Sequence, residues 1–313
     1  MGFSTNGMVG RARRLGASLA TSVTTLLLAA PVALAASPVT EPHDWQLGFQ
    51  PAATPVRDRI DFLHDDVLLP IITVISVFVL GLLLYVIVKF NAKRHPNPSA
   101  TTHNTVLELA WTIVPVLILL GIFFPSMSLL YFNDHAQHAD MTLKVTGHQW
   151  YWTYEYPDQG LTQDKGSQVD SNMIPEEDAV KEGKRRLLDV DNPVVVPIGA
   201  TIRILVTGTD VIHSWFVPSV GVQEYAVVGR TNESWMKIER AGTYYGQCNQ
   251  ICGVNHPFMP IEIQAVEKPQ FDAWVACQQK SDKDRPKEGC GSVIAEDNQG
   301  GKAAVRVAEQ ATK

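Results

Sequence analysis

Two thiols, an imidazole and a thioether fall within one short stretch: Gly246-Gln247-Cys248-Asn249-Gln250-Ile251-Cys252-Gly253-Val254-Asn255-His256-Pro257-Phe258-Met259-Pro260. Soft thiolate and thioether ligands combined with imidazole favour copper. A single-copper electron-transfer site needs one Cys, two His and a weakly held Met. This stretch carries a second Cys, and two thiolates can bridge two metal ions, leaving one His to terminate each. His256 is the only imidazole in the stretch, so another must come from elsewhere. His213, in Asp210-Val211-Ile212-His213-Ser214-Trp215, is the best candidate because it closes another strand-like run. Three other readings stay open at this level. Zinc held by two Cys and two His leaves Met259 without a role. A Cys248–Cys252 disulfide suits an oxidising compartment but leaves both histidines unexplained. Met259 as a plain core residue is the third.

Several ligands can be fixed on a loop only if a rigid frame carries it. Short runs rich in branched and aromatic residues, bounded by Gly, Pro, Asn or Asp, predict strands at 141–145, 150–155, 187–190, 194–196, 201–207, 234–238, 243–247 and 261–266. In 201–207, Ile202, Ile204 and Val206 alternate with Thr201, Arg203, Leu205 and Thr207. Many short strands without helical periods predict a Greek-key sandwich or barrel. The polar residues 160–185 read as a long connection, and the chain from Gln278 onward reads as a poorly ordered polar tail.

The apolar residues are concentrated ahead of this frame. Residues 1–35 carry Arg11, Arg13 and Arg14, then an apolar run, then Ala33-Leu34-Ala35, the pattern of a cleaved secretory signal. Val67 to Val88 is uncharged over 22 residues and Leu109 to Phe132 over 24. At about 1.5 Å per residue, either can cross a hydrocarbon layer of roughly 30 Å. Both are apolar on every face, unlike the one-sided surface helices of soluble proteins. The connector 89–108 carries Lys89, Lys93 and Arg94, and short basic loops stay cytoplasmic. The expected order is therefore signal (1–35), exported segment (36–66), first span (67–88), cytoplasmic loop (89–108), second span (109–132), exported β domain (133–277) and polar tail (278–313). The membrane is bacterial, with the β domain on its outer side. The net charge of −6 suggests no nucleic-acid partner and suits a basic protein partner. Cys277 and Cys290, outside the ligand stretch, face an oxidising compartment and are expected to pair.

Gly147-His148-Gln149-Trp150-Tyr151-Trp152-Thr153-Tyr154-Glu155-Tyr156, His213-Ser214-Trp215 and the Cys248–Met259 stretch, in this order and behind a two-helix hairpin, resemble the cytochrome c oxidase subunit II family over about residues 45–266. The resemblance implies a two-helix transmembrane hairpin plus an exported all-β cupredoxin-like Greek-key domain with a dinuclear copper centre, CuA. By it, Cys248 and Cys252 bridge both coppers, His213 and Met259 complete one, and His256 and the backbone carbonyl of Gln250 complete the other. It also implies that electrons from cytochrome c enter near Trp150 and pass to haem in subunit I, where oxygen is reduced and protons are pumped. Glu155, Asp191 and Asp210 match an acidic docking face, and Glu108 matches a residue at a proton-uptake entrance.

The sequence departs from the family at three places. Position 250 is usually Glu, whose side chain reaches a magnesium or manganese ion; Gln250 keeps the carbonyl ligand but is a poorer partner for a hard cation. Tyr225 replaces a usual Asp and Val228 a usual Pro. Three other functions compete. The quinol-oxidase relatives lack the copper ligands, nitrous-oxide reductase needs a large further domain, and a copper-delivery protein would not need the Trp150 segment.

Overall fold

The computed structural model describes residues 42–97, 99–134, 138–280, 284–286 and 289–291. The signal reading of residues 1–35 lies outside them, as does most of the expected tail 278–313.

Two long helices come first. α1 runs Pro55–Lys89 and α2 runs Thr105–Asp134. α1 contains the uncharged run but starts at Pro55 instead of Val67. The Thr54 hydroxyl accepts from Arg57 N at 3.1 Å and Pro55 takes the first helical position, so the helix begins in charged sequence that a hydropathy reading passes over. Its Phe62–Leu68 portion is π-helical. In α2, Asn104 Oδ1 accepts from Leu107 N while the Glu108 carboxylate accepts from Asn104 N. Neither the Leu69–Lys89 portion of α1 nor α2 buries a residue in the chain itself. Val74 and Phe124 are 68% and 70% exposed, surfaces that need lipid or another subunit around them.

The rest is a sandwich of two five-stranded sheets. One has the order β3 (Val169–Ser171), β2 (Tyr151–Glu155), β1 (Met141–His148), β5 (Ile202–Gly208), β8 (Asn232–Met236). The other runs β4 (Val194–Pro197), β10 (Pro260–Val266), β9 (Gly242–Cys248), β6 (His213–Val217), β7 (Val222–Ala226). β1 with β5 and β10 with β4 are parallel and the remaining pairs are antiparallel. The alternation expected at 201–207 holds: Ile202, Ile204 and Val206 are buried between the sheets and Arg203 is exposed. Trp152, Tyr154, Trp215, Ile261 and Ile263 complete the core.

Two expectations need correction. Residues 187–190 are not a strand. Leu187 has φ 63°, and the Asp189 carboxylate accepts from Arg185 N, which closes a turn; only Val190 bridges to Met173. The connection 160–185 holds β3 and a short helix, α3 (Glu176–Glu182). Residues before Gln278 form a helix, α4 (Lys268–Gln278), which Glu267 and Gln270 cap reciprocally and whose Phe271 and Trp274 pack on Tyr156. Cys277 at its end forms a disulfide with Cys290.

The helices are tied to the sandwich at their ends. Thr54 Oγ1 donates to Val220 O at 2.6 Å, Arg57 Nη1 to Pro218 O at 3.2 Å, and Trp235 Nε1 to Phe132 O at 3.0 Å.

Candidate metal centre

The ligand stretch leaves β9 at Cys248 and returns to the sheet at Pro260, so its two ends are held by neighbouring antiparallel strands. β6 pairs with β9 on the other side, with Trp215 opposite Cys248 and Asn249 N donating to Ser214 O at 3.1 Å. That register brings His213, 35 residues away in sequence, to the thiols.

The donors converge. Cys248 Sγ and Cys252 Sγ are 4.0 Å apart and unbonded. His213 Nδ1 is 4.0 Å from Cys248 Sγ, and His256 Nδ1 is 3.5 Å from Cys252 Sγ. Met259 Sδ is 3.6 Å from Cys252 Sγ, and the carbonyl oxygen of Gln250 is 3.3 Å from Cys248 Sγ. The other four expected donors thus surround the two thiol sulfurs. Met259 is 1% exposed and turns its sulfur toward the thiols, which neither a zinc Cys2His2 site nor plain packing would require.

The electrostatics suit a cation. Burial raises the Cys252 thiol, and the neighbouring Cys248 charge adds to this, to about 12. Burial acts upward on Cys248 too, but hydrogen bonding with His213 and with the backbone at Ser214 and Gln250 outweighs it and holds that thiol below its ordinary value. Burial acts downward on His213, and contacts with Cys248 and Asp210 reverse it. Two thiols this close do not both ionise easily without a metal, whose charge drives off both protons. The residues present therefore fit a soft, sulfur-bridged copper site.

The surroundings fix the ligands. Asp210 Oδ1 lies 2.9 Å from His213 Nε2, leaving Nδ1 to face the thiols. Asp210 Oδ2 accepts from Gln149 N at 2.7 Å. Gln149 Nε2 and Trp150 Nε1 both donate to Cys252 O, at 2.8 and 3.3 Å, and Trp152 Nε1 donates to Met259 O at 3.3 Å. Trp150 thus lies directly on the ligand loop. Gly253, with φ 125°, permits this, because a Cβ there would stand 2.9 Å from Trp150 Cζ2. Gln149 and Trp152 were not singled out from sequence, although both lie in the Gly147–Tyr156 stretch.

The outlying residues fare differently. Asp191 and Asp210 are exposed, with Asp191 engaged by Asn172. Glu155 does not face solvent as a docking acid would. It ends β2 buried against Lys144 at 2.6 Å and accepts from Gln163 N at 3.0 Å. Glu108 sits in the first turn of α2, far in sequence from the donors.

Comparison with known proteins agrees with this architecture. The profile described as "Cytochrome C oxidase subunit II, periplasmic domain" matches residues 141–266, and the corresponding transmembrane-domain profile matches residues 42–129. A probable cytochrome c oxidase subunit 2 of Rickettsia bellii is 47% identical over 241 residues, covering 77% of this chain and 87% of the relative. Cytochrome c oxidase subunit 2 of Oenothera berteroana is 49% identical over 233 residues, covering 74% and 90%. Among solved structures, the periplasmic domain of subunit II of the Bradyrhizobium japonicum cytochrome oxidase is 44% identical, covers 46% of this chain and 97% of that one, and has a TM-score of 0.42. The chain is a membrane protein that belongs to the cytochrome c oxidase subunit II family.

Proposed function

We propose that this chain accepts electrons one at a time from cytochrome c at a dinuclear copper centre and passes them to haem in subunit I, which reduces oxygen. The observation that carries the reading is the convergence of two thiols, two imidazole Nδ1 atoms, a thioether and a carbonyl in one cluster, in which His213, the thiols and Met259 are buried and His256 and Gln250 half-buried. Two copper ions held there would supply one-electron redox chemistry. Cys248 and Cys252 as thiolates, His213, Met259, His256 and the Gln250 carbonyl would hold them. Asp210 keeps the His213 ring in place, so the site reorganises little when its charge changes. Trp150, bonded to Cys252 O, offers an incoming cytochrome a path onto the loop. Asp191 and Asp210 supply negative charge at the surface for docking.

The β domain lies on the outer side of a bacterial membrane, because the basic connector carrying Lys89, Lys93 and Arg94 stays inside. Residues 1–35 are removed on export. Glu108 stands at the inner end of α2, where it would meet a proton-uptake path in subunit I. A magnesium or manganese ion beside position 250 is disfavoured by the neutral Gln250 side chain.

The test is metal content and electron paramagnetic resonance of the full chain purified in detergent and loaded with copper. Two coppers per chain sharing one unpaired electron are expected, and Cys248→Ala or Cys252→Ala abolishes the shared signal. One copper per chain, or zinc in preference to copper, overturns the reading.

A further inference from the structure

Between α1 and α2 lies an open cleft of about 360 Å³, lined by Arg59, Phe62 and Leu63 on one side and Pro125, Ser128 and Leu129 on the other. We propose that this cleft binds a membrane glycerophospholipid, with the phosphodiester on Arg59 and the start of an acyl chain between Phe62, Leu63 and Leu129.

The two arginines that open α1 are used differently. Arg57 is buried and engaged: it pairs with Asp61 at 2.7 Å, donates to Pro218 O at 3.2 Å and stacks over Phe49. Arg59 is exposed, and its guanidinium carbon lies 3.5 Å from the centroid of the Phe132 ring. No carboxylate or carbonyl among the described residues takes its N–H groups. Contact with a ring uses none of the strong acceptors that a guanidinium can bind, and its N–H groups form the planar fork that matches two phosphate oxygens.

Height and wall chemistry select a lipid. Arg59 precedes the uncharged run that starts at Val67, yet the α2 residues across the cleft, Pro125 to Leu129, lie inside the uncharged run that ends at Phe132. The cleft therefore straddles the level where hydrocarbon gives way to headgroups, the depth at which a lipid phosphate meets its first methylenes. Phe62 opens the π-helical portion of α1 and is 55% exposed, so the wall below Arg59 is apolar and open to the membrane. Free phosphate would use Arg59 and leave this wall in contact with water. The volume is at the lower end of the roughly 300–1,000 Å³ of small-molecule sites, enough for a headgroup and the beginning of one chain.

The test uses the oxidase complex purified from membranes in mild detergent, with bound phospholipid counted by native mass spectrometry and lipid phosphorus. Arg59→Gln is expected to remove one phospholipid per complex. Leu129→Trp, which fills the cleft and keeps the charge, is expected to remove the same one. Arg186→Gln, on the β-domain surface, should change nothing. Copper content serves as the folding check, separates this outcome from failure of the copper reading, and should stay constant throughout. Adding back phosphatidylglycerol or phosphatidylethanolamine in nanodiscs restores the lipid to the native complex and not to Arg59→Gln, and identifies the headgroup. Equal lipid counts in the native and Arg59→Gln complexes overturn the proposal, and Arg59→Gln decides alone if Leu129→Trp prevents assembly. So does displacement of the lipid by inorganic phosphate alone, or capture of polypeptide instead of lipid by a photo-crosslinking residue at position 128.

Discussion

Met259 illustrates how much one side chain decides. Its sulfur stands 3.6 Å from Cys252 Sγ at 1% exposure, so it packs as core while facing the thiols as the proposed donor. Leucine has similar volume and no lone pair. Met259→Leu is expected to cost less than about 1.5 kcal/mol of stability, as volume-conserving swaps do. It should keep copper but raise the potential, because losing a weak axial donor disfavours the oxidised ion. Spectroelectrochemical titration of the loaded chain checks this, and an unchanged potential removes Met259 from the ligand set. Asp210 carries two readings at this scale. It is exposed enough to meet a partner, yet its two oxygens hold His213 Nε2 and Gln149 N. A substitution there is expected to act on the ligand cluster and, under the proposed function, on docking together.

At the scale of elements, the outer face of the β9–β10 pair carries a buried acid. Glu262 lies opposite Tyr245, and its carboxylate accepts from Val190 N at 3.1 Å and from Gln264 Nε2 at 3.1 Å. Burial raises its carboxyl above the ordinary value, only partly offset by these hydrogen bonds. Because the folded value lies above the unfolded one, the stability linked to this group is complete below the unfolded value of 4.5 and is lost as pH rises through the folded one. Glu262→Gln, which keeps the shape and an acceptor, is expected to be the more stable protein at neutral pH and to flatten this part of the profile. Thermal unfolding across pH 4 to 8 measures it, and a wild-type advantage at pH 8 contradicts it. The Cys277–Cys290 disulfide closes a 13-residue separation and fastens the chain beyond α4. Replacing both cysteines by serine is expected to cost about 2–4 kcal/mol, given the loop entropy released in the unfolded chain. Unfolding of the double variant should show this loss with the copper spectrum unchanged, since neither residue reaches the ligand cluster.

The whole molecule combines a membrane hairpin with a β domain and carries a net charge of −6. Such a surface attracts a basic partner over a distance set by the Debye length, about 10 Å at 0.1 M salt. Electron uptake from a basic cytochrome c is expected to slow by roughly ten-fold or more between low and physiological ionic strength. Stopped-flow mixing at several salt concentrations tests this, and a salt-independent rate removes steering by the acidic face. The hairpin does more than anchor. Its helix ends are hydrogen bonded into the sandwich through Thr54, Arg57 and Trp235, so the domain is held at a set attitude to the membrane.

The sequence alone determined whatever depends on residues close together in the chain. The donor types and spacing from Cys248 to Met259, the two uncharged runs inside α1 and α2, and the alternation of β5 are local properties, written by ligand chemistry, by the reach of a helix and by the strand period of two. Tertiary structure alone decided how distant segments meet. The register of β6 on β9 brings His213 to the thiols, and the turn that gives Leu187 a positive φ replaces an expected strand. β3 is three residues long and exists because it pairs with β2, a contact that no local preference of Val169-Asp170-Ser171 could supply. Glu155 looks like any surface acid in sequence, and becomes a buried ion pair only when Lys144 is laid opposite it on β1. Long-range pairing stabilises these arrangements against the entropy of closing the loops between them, and that balance is a property of the folded whole.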